Sequence, residues 1–202
     1  YFGWQMAEDA GVDTEAFLTR WRGLEADRTI GNISLEQTLE VILKEAGVYS
    51  ETLVSKIAAR RVATCESCFR TLHPEILPML AQLKERGYRI GLISNCFSEE
   101  AKVIRKSVLF PYFDAVRLSY ELGMKKPDEA IYRACMEKLS VEPEACVYVG
   151  DGGSYELETA ESLGMKAVQA VWYLKEGTFQ PKGRMMEFEQ MESPMCLLEY
   201  VK

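Results

Sequence analysis

A β-rich run, Val147 to Val149, leads into Gly150-Asp151-Gly152, and a second acid, Glu156, follows five residues after the first. Glycines keep backbone bulk low at such a point, and two carboxylates held close together repel unless a cation or a proton separates them. The pattern predicts a small metal site. Two other strand-like runs also end in polar groups. Arg89–Ile93 leads into Ser94 and Asn95, and Ala115–Ser119 is followed by Lys125, Lys126 and Pro127. In open parallel sheets ligands bind beyond the carboxyl ends of the strands, so a hydroxyl, an ammonium and a carboxylate are expected on one edge. Each residue alone has an ordinary reading: Ser94 and Asn95 as turn caps, Lys126 as a solvated residue before a proline, Asp151 as an acceptor in a tight turn. Together, at successive strand ends, they suit phosphoryl transfer. There, clamping the equatorial oxygens with a hydroxyl, an ammonium and a divalent ion supplies most of the acceleration, and Mg²⁺ is the natural ion for an oxygen-only site.

Those strand ends need a scaffold. From Tyr1 to about Arg70 the pattern is helical: Phe17, Leu18, Trp21 and Leu24 recur at three- and four-residue intervals, Leu35 to Ile42 does the same, and a third helix is expected over 51–69. Ser34 and Gln37 have capping-box spacing, and Gly47 closes that helix. From Pro74 onward helices and strands alternate. Strands are expected in YRIGLIS, DAVRLS, ACVYVG and MKAVQAVWYL, a surface loop in KEGTFQPKGR, and a last helix in SPMCLLEYV with Ser193 and Pro194 at its start. Alternation of this kind implies a parallel sheet with right-handed crossovers. The expected division is a helical module over residues 1–73 and an α/β core over 74–202.

Composition narrows the partners. A formal charge of −7 with no basic tract argues against nucleic acid. No apolar run approaches the roughly 18 residues needed to cross a bilayer, and the first residues lack the pattern of a secretory signal, so no membrane contact and a cytoplasmic location are expected. Six scattered cysteines do not form the framework of a secreted disulfide domain, and reduced thiols are expected. Cys65 and Cys68 make one CxxC near His73, short of the ligand set of a structural zinc; two helix cysteines are the plainer reading. His73 precedes Pro74 and belongs at a helix start.

GLISN, KKPDEAIY, and VYVGDGGSYEL followed by AESLGM resemble the second, third and fourth motifs of the haloacid dehalogenase (HAD) superfamily of hydrolases, and the helical segment ahead of them resembles the cap module of many members. The resemblance implies an α/β fold with a doubly wound, Rossmann-like parallel sheet, and a Mg²⁺-dependent phosphatase acting on a small phosphorylated metabolite. It assigns Ser94 to a phosphoryl oxygen with Asn95 assisting, Lys126 to charge neutralisation, and Asp151 to the metal. Glu156 stands where the family more often has aspartate. One methylene longer, it would reach the ion through water, or else be an exposed acid in a first helical turn. Substrate choice in capped relatives lies in the helical module, where Trp4, Trp21, Arg20, Arg22 and Arg28 are candidates; core aromatics and solvated arginines are their ordinary reading.

The family's first motif, an Asp-x-Asp strand supplying the nucleophile, has no counterpart here. Asp9 and Asp13 lie in helical sequence and read as helix-flanking acids. In the family that strand lies between the strands leading to Ser94 and Asp151, so its absence leaves two edges unpaired. About 15 to 25 upstream residues are expected in the natural protein, from usual strand and loop lengths. A non-catalytic or truncated protein on this fold is the alternative, and a metal-free 2-haloacid dehalogenase a lesser one.

Overall fold

At the starts of four helices a short polar side chain satisfies one of the first unbonded amides. Ser34 Oγ accepts the Gln37 N–H at 3.2 Å and Gln37 Oε1 accepts the Ser34 N–H at 2.8 Å, the reciprocal cap expected. Asp13, Ser50 and Asp128 cap in a similar way. The computed structural model describes residues 1–174 and 183–201. Most of the stretch KEGTFQPKGR, residues 175–182, lies outside the described residues. In chain order the elements are α1 (Gly3–Ala10), α2 (Thr14–Gly23), α3 (Glu25–Thr29), α4 (Leu35–Glu45), α5 (Glu51–Cys68), α6 (Ile76–Glu85), β1 (Gly91–Ser94), α7 (Ser98–Lys106), β2 (Ala115–Leu118), α8 (Ser119–Leu122), α9 (Glu129–Leu139), β3 (Val147–Gly150), α10 (Glu156–Ser162), β4 (Lys166–Ala170), β5 (Glu189–Met191) and α11 (Cys196–Tyr200). Among the described residues no helix is long and apolar enough to cross a membrane.

The chain packs as two compact units. One comprises Tyr1–Leu72, Asn95–Phe110 and Leu118–Lys125; the other comprises His73–Ser94, Pro111–Arg117 and the chain from Lys126 onward. The first unit is helical, with Met6, Phe17, Leu39, Leu43 and Ile57 in its core. Gly47, at φ +72°, ends α4, and the Val48 N–H reaches back to the Leu43 carbonyl at 3.0 Å.

A charge network is buried in the same unit. Arg28 and Glu99 are each 1% exposed and pair at 3.4 Å. The guanidinium lies 3.6 Å from the Trp21 ring centroid and 4.0 Å from that of Phe97. Arg61 bridges Glu99 and Glu100 at 3.3 and 3.2 Å, and Ser98 Oγ donates to Glu99 while accepting the Leu35 N–H. The solvated arginine expected at position 28 is therefore corrected. Two aromatic faces and a carboxylate replace water around a planar, weakly hydrated cation. Burial lowers the Arg28 pKa and raises that of Glu100.

In the second unit β3 runs parallel to β4 with Gly150 opposite Gln169, and β4 runs parallel to β5 with Gln169 opposite Gln190. Gly91 opens β1 because a Cβ there would lie 2.7 Å from Cys135 Sγ of α9. His73 does stand at a helix start: its Nδ1 accepts the Glu75 N–H at 3.3 Å, just ahead of α6. The last helix begins at Cys196 rather than at Ser193–Pro194. The Leu197 N–H bonds the Pro194 carbonyl at 3.2 Å, so those residues form a turn leading into it. β1 pairs with β2 in one sheet, while β3, β4 and β5 form another. One edge of β1 and one edge of β3 thus have no strand partner among the described residues.

Replacing Glu99 with alanine strands the buried Arg28 charge and is expected to lower stability by about 3–5 kcal/mol. Removing both charges as Arg28→Met with Glu99→Leu is expected to cost less, as measured by urea unfolding.

Candidate active site

The turn after β3 is built around one buried carboxylate. Glu156 opens α10, yet it is only 4% exposed, so the solvated helix-start acid is excluded. Its Oε2 pairs with Lys126 Nζ and accepts the Tyr148 hydroxyl at 3.0 Å, while Oε1 accepts the Gly152 N–H at 3.1 Å. The Tyr132 hydroxyl donates to the Glu156 main-chain carbonyl at 3.3 Å. Burial first, and then the Glu156 charge, push the phenols of Tyr132 and Tyr148 well above their ordinary pKa. Both phenols remain donors.

The glycines have separate jobs. A Cβ on Gly150 would lie 2.1 Å from Glu156 Oε1, so this position must stay bare for the acid to fold back over the strand end. Gly152 has φ +93°, and a Cβ there would lie 2.5 Å from Met185 Sδ. Ser154 and Tyr155 also take left-handed conformations, at φ 55° and 52°.

Asp151 directly follows β3. Its Oδ1 accepts the Gly153 N–H at 2.9 Å, and its Oδ2 accepts no hydrogen bond among the described residues. The residues here offer a carboxylate oxygen without histidine or thiolate, a donor type that suits a hard cation such as Mg²⁺. Among the described residues no group of three or more His, Cys, Asp or Glu side chains is placed to hold a metal. Both Glu156 oxygens are committed to protein donors.

The structure therefore joins Lys126, Glu156 and the backbone beside Asp151. Ser94 is the last residue of β1 and half-buried, with Asn95 directly after it. Cys96 is buried; desolvation pushes its thiol up to about 11, and its N–H donates to Ser119 Oγ at 2.9 Å. Cys65 and Cys68 are free thiols on α5. Trp21 is half-buried against Phe17 and Arg28, Trp4 is exposed, and Arg20 pairs with Glu45 at the surface.

Tyr148, Tyr132 and Gln169 were not anticipated. The signal for Gln169 was available: an amide inside the apolar run MKAVQAV demands buried partners. It is 0% exposed and donates to the Asp151 carbonyl at 2.9 Å.

Residues 5–164 match the haloacid dehalogenase-like hydrolases. The glyceraldehyde 3-phosphate phosphatase of Methanopyrus kandleri is 29% identical over 78% of this chain and 72% of its own length. The first relatives matched are covered over 42% to 79% of their own length. Among solved structures, the 2-haloacid dehalogenase of Pseudomonas syringae superposes with a TM-score of 0.69 at 23% identity, covering 96% of this chain and 83% of that one. A HAD family enzyme of Bacteroides thetaiotaomicron, in complex with magnesium and inorganic phosphate, superposes with a TM-score of 0.62 at 21% identity, over 86% of each chain. At these identities the superpositions show a shared fold.

Tyr148→Phe removes a donor to a buried carboxylate and is expected to cost about 1–3 kcal/mol in denaturant unfolding. Because the folded pKa of Tyr132 and Tyr148 lies above the unfolded value of about 10, the folded state holds these protons more tightly. Their contribution is complete below about pH 10 and falls as pH rises beyond it. The Tyr132→Phe, Tyr148→Phe pair is expected to flatten that alkaline decline, measured by unfolding across the range.

Proposed function

Since the chain belongs to the haloacid dehalogenase-like hydrolase family, we propose that it forms most of a Mg²⁺-dependent phosphomonoester hydrolase acting on a small phosphorylated metabolite. The observation that carries this is the anchored ammonium. Lys126 is held by Glu156, whose other oxygen fixes the N–H of Gly152, the residue after Asp151. The cation is thereby tied to the backbone beside Asp151, which supports the reading of a positioned phosphoryl-transfer site. The phosphatase relative from Methanopyrus kandleri supports the reaction class.

In this reading Lys126 neutralises charge on the phosphoryl group, and the Ser94 hydroxyl donates to one of its oxygens with Asn95 assisting. Asp151 would hold Mg²⁺ through the carboxylate oxygen not engaged by the Gly153 N–H. When bound, the ion supplies positive charge to oxygens that become more negative during transfer. Glu156 acts through Lys126 and the turn, and its contact with the ion runs at most through water. A buried Lys–Glu pair presents less net positive charge than a lone ammonium, so the metal carries a larger share of the neutralisation.

The attacking carboxylate belongs on a further strand. The open edges of β1 and β3 are where such a strand would pair, since each unmatched buried backbone group costs on the order of 1–3 kcal/mol. No residue described here replaces it: Asp9 bonds Tyr1 and Arg60, and Asp13 caps α2.

The natural-length protein is expected to release phosphate from a generic monoester, to stop when the metal is chelated, and to lose activity as Asp151→Ala. Lys126→Ala is expected to lower kcat by about 10²- to 10³-fold. Halide release from 2-haloacids without metal would select the dehalogenase. No turnover of either substrate class, with an upstream sequence lacking Asp-x-Asp, would select a non-catalytic protein.

A further inference from the structure

The Asp151–Gly152 peptide is gripped on both sides. Its carbonyl accepts from Gln169 Nε2 at 2.9 Å, and its N–H donates to Glu156 Oε1 at 3.1 Å. A flip of this peptide plane would turn a carbonyl toward a carboxylate and an N–H toward an amide N–H, with repulsion at both ends. The plane between the metal-type carboxylate and the turn therefore has one permitted orientation.

Gln169 is suited to this task because its whole hydrogen-bonding capacity is used. Nε2 also donates to the Gly183 carbonyl at 3.0 Å, while Oε1 accepts the Met185 N–H at 2.8 Å and Gln190 Nε2 at 2.9 Å. Gln190 Nε2 additionally reaches the carbonyls of Met185 and Phe188 at 2.9 and 3.0 Å. The amide cannot rotate by half a turn without placing donor against donor. Two packed strands hold it in place: Gln169 lies opposite Gly150 on β3 and opposite Gln190 on β5.

We propose that Gln169 is a positioning residue for the metal site: by clamping the Asp151 carbonyl opposite Glu156, it sets the direction in which the Asp151 carboxylate is offered to a divalent cation. The proposal rests on the metal-binding reading of Asp151 and adds a residue to it. Outer partners of metal ligands commonly control affinity about 10- to 100-fold. The clamp also links two parts of the site. Gln169 holds one side of a peptide whose other side is held by the acid that anchors Lys126, so loosening Gln169 disturbs the carboxylate and the ammonium together.

Calorimetric Mg²⁺ titration of the natural-length protein tests this, together with hydrogen exchange at the Gly152 amide. Gln169→Glu keeps an acceptor for Met185 N–H and Gln190 but turns an oxygen toward the Asp151 carbonyl. It is expected to weaken Mg²⁺ binding by about tenfold or more and to speed Gly152 exchange. Gln190→Leu, which perturbs the same network without touching Asp151, is expected to lower the melting temperature while leaving Mg²⁺ affinity within about twofold. Equal Mg²⁺ affinity in unaltered protein and Gln169→Glu would overturn the proposal and leave the hydrolase reading standing. So would an equal loss in Gln190→Leu, which would mark the effect as general destabilisation. If Gln169→Glu does not fold, Gln169→Met, which keeps the volume and lacks the donor, carries the same expectation. Failure of the unaltered protein to bind Mg²⁺ would remove both the metal-site reading and the proposal.

Discussion

A carboxylate taken out of water must find its compensation within the fold, and the second unit is arranged around that requirement at Glu156. Burying the charge alone would cost several kcal/mol. An ammonium, a phenol and a backbone N–H meet it instead, the last two from β3 and the turn after it and the first from Lys126. Meeting the requirement fixes β3, the turn after it, the start of α10 and the segment carrying Lys126 relative to one another. Electrostatic satisfaction alone thus holds these groups in a fixed arrangement. The extra methylene of glutamate lets the acid reach back over the strand end to engage all three donors.

The helical unit solves a similar problem with other means. Glu99 is as buried as Glu156 but is surrounded by two guanidinium groups and a hydroxyl, one of the arginines lying between aromatic rings. Arg28 Nε has no hydrogen-bond partner among the described residues, and ring faces cover what oxygen atoms do not. Charge networks of this kind are weak sources of net stability but penalise every arrangement that leaves a member unpaired. They favour one packing of the helices over near alternatives.

Much of this is legible in the sequence alone. Apolar spacing marks α2 and α4, the Ser34–Gln37 pair marks a helix start to the residue, and His73 before Pro74 is read at a helix start, where its Nδ1 accepts the Glu75 N–H. The strand ends at Ser94 and Asp151 followed from alternation and from the glycines. Other features depend on distant partners. The burial of Arg28 depends on Phe97 and Glu99, about seventy residues away, and no local pattern carries that contact. The burial of Glu156 was hidden for a related reason: a first-turn acid is ordinarily solvated, and only Tyr148, Lys126 and the bare Gly150 reverse that. β5, with three residues, is too short to show a period, and it exists because β4 offers it an edge.

Gly150 and Glu156 carry one further implication, for sequence divergence. A side chain at 150 would occupy the volume now filled by the acid's carboxylate oxygen. The two positions are thus epistatic: a lineage can add bulk at 150 only after the acid has shortened or swung away, and the reverse order passes through a disfavoured intermediate. While glutamate stands at 156 in this arrangement, position 150 is held to glycine.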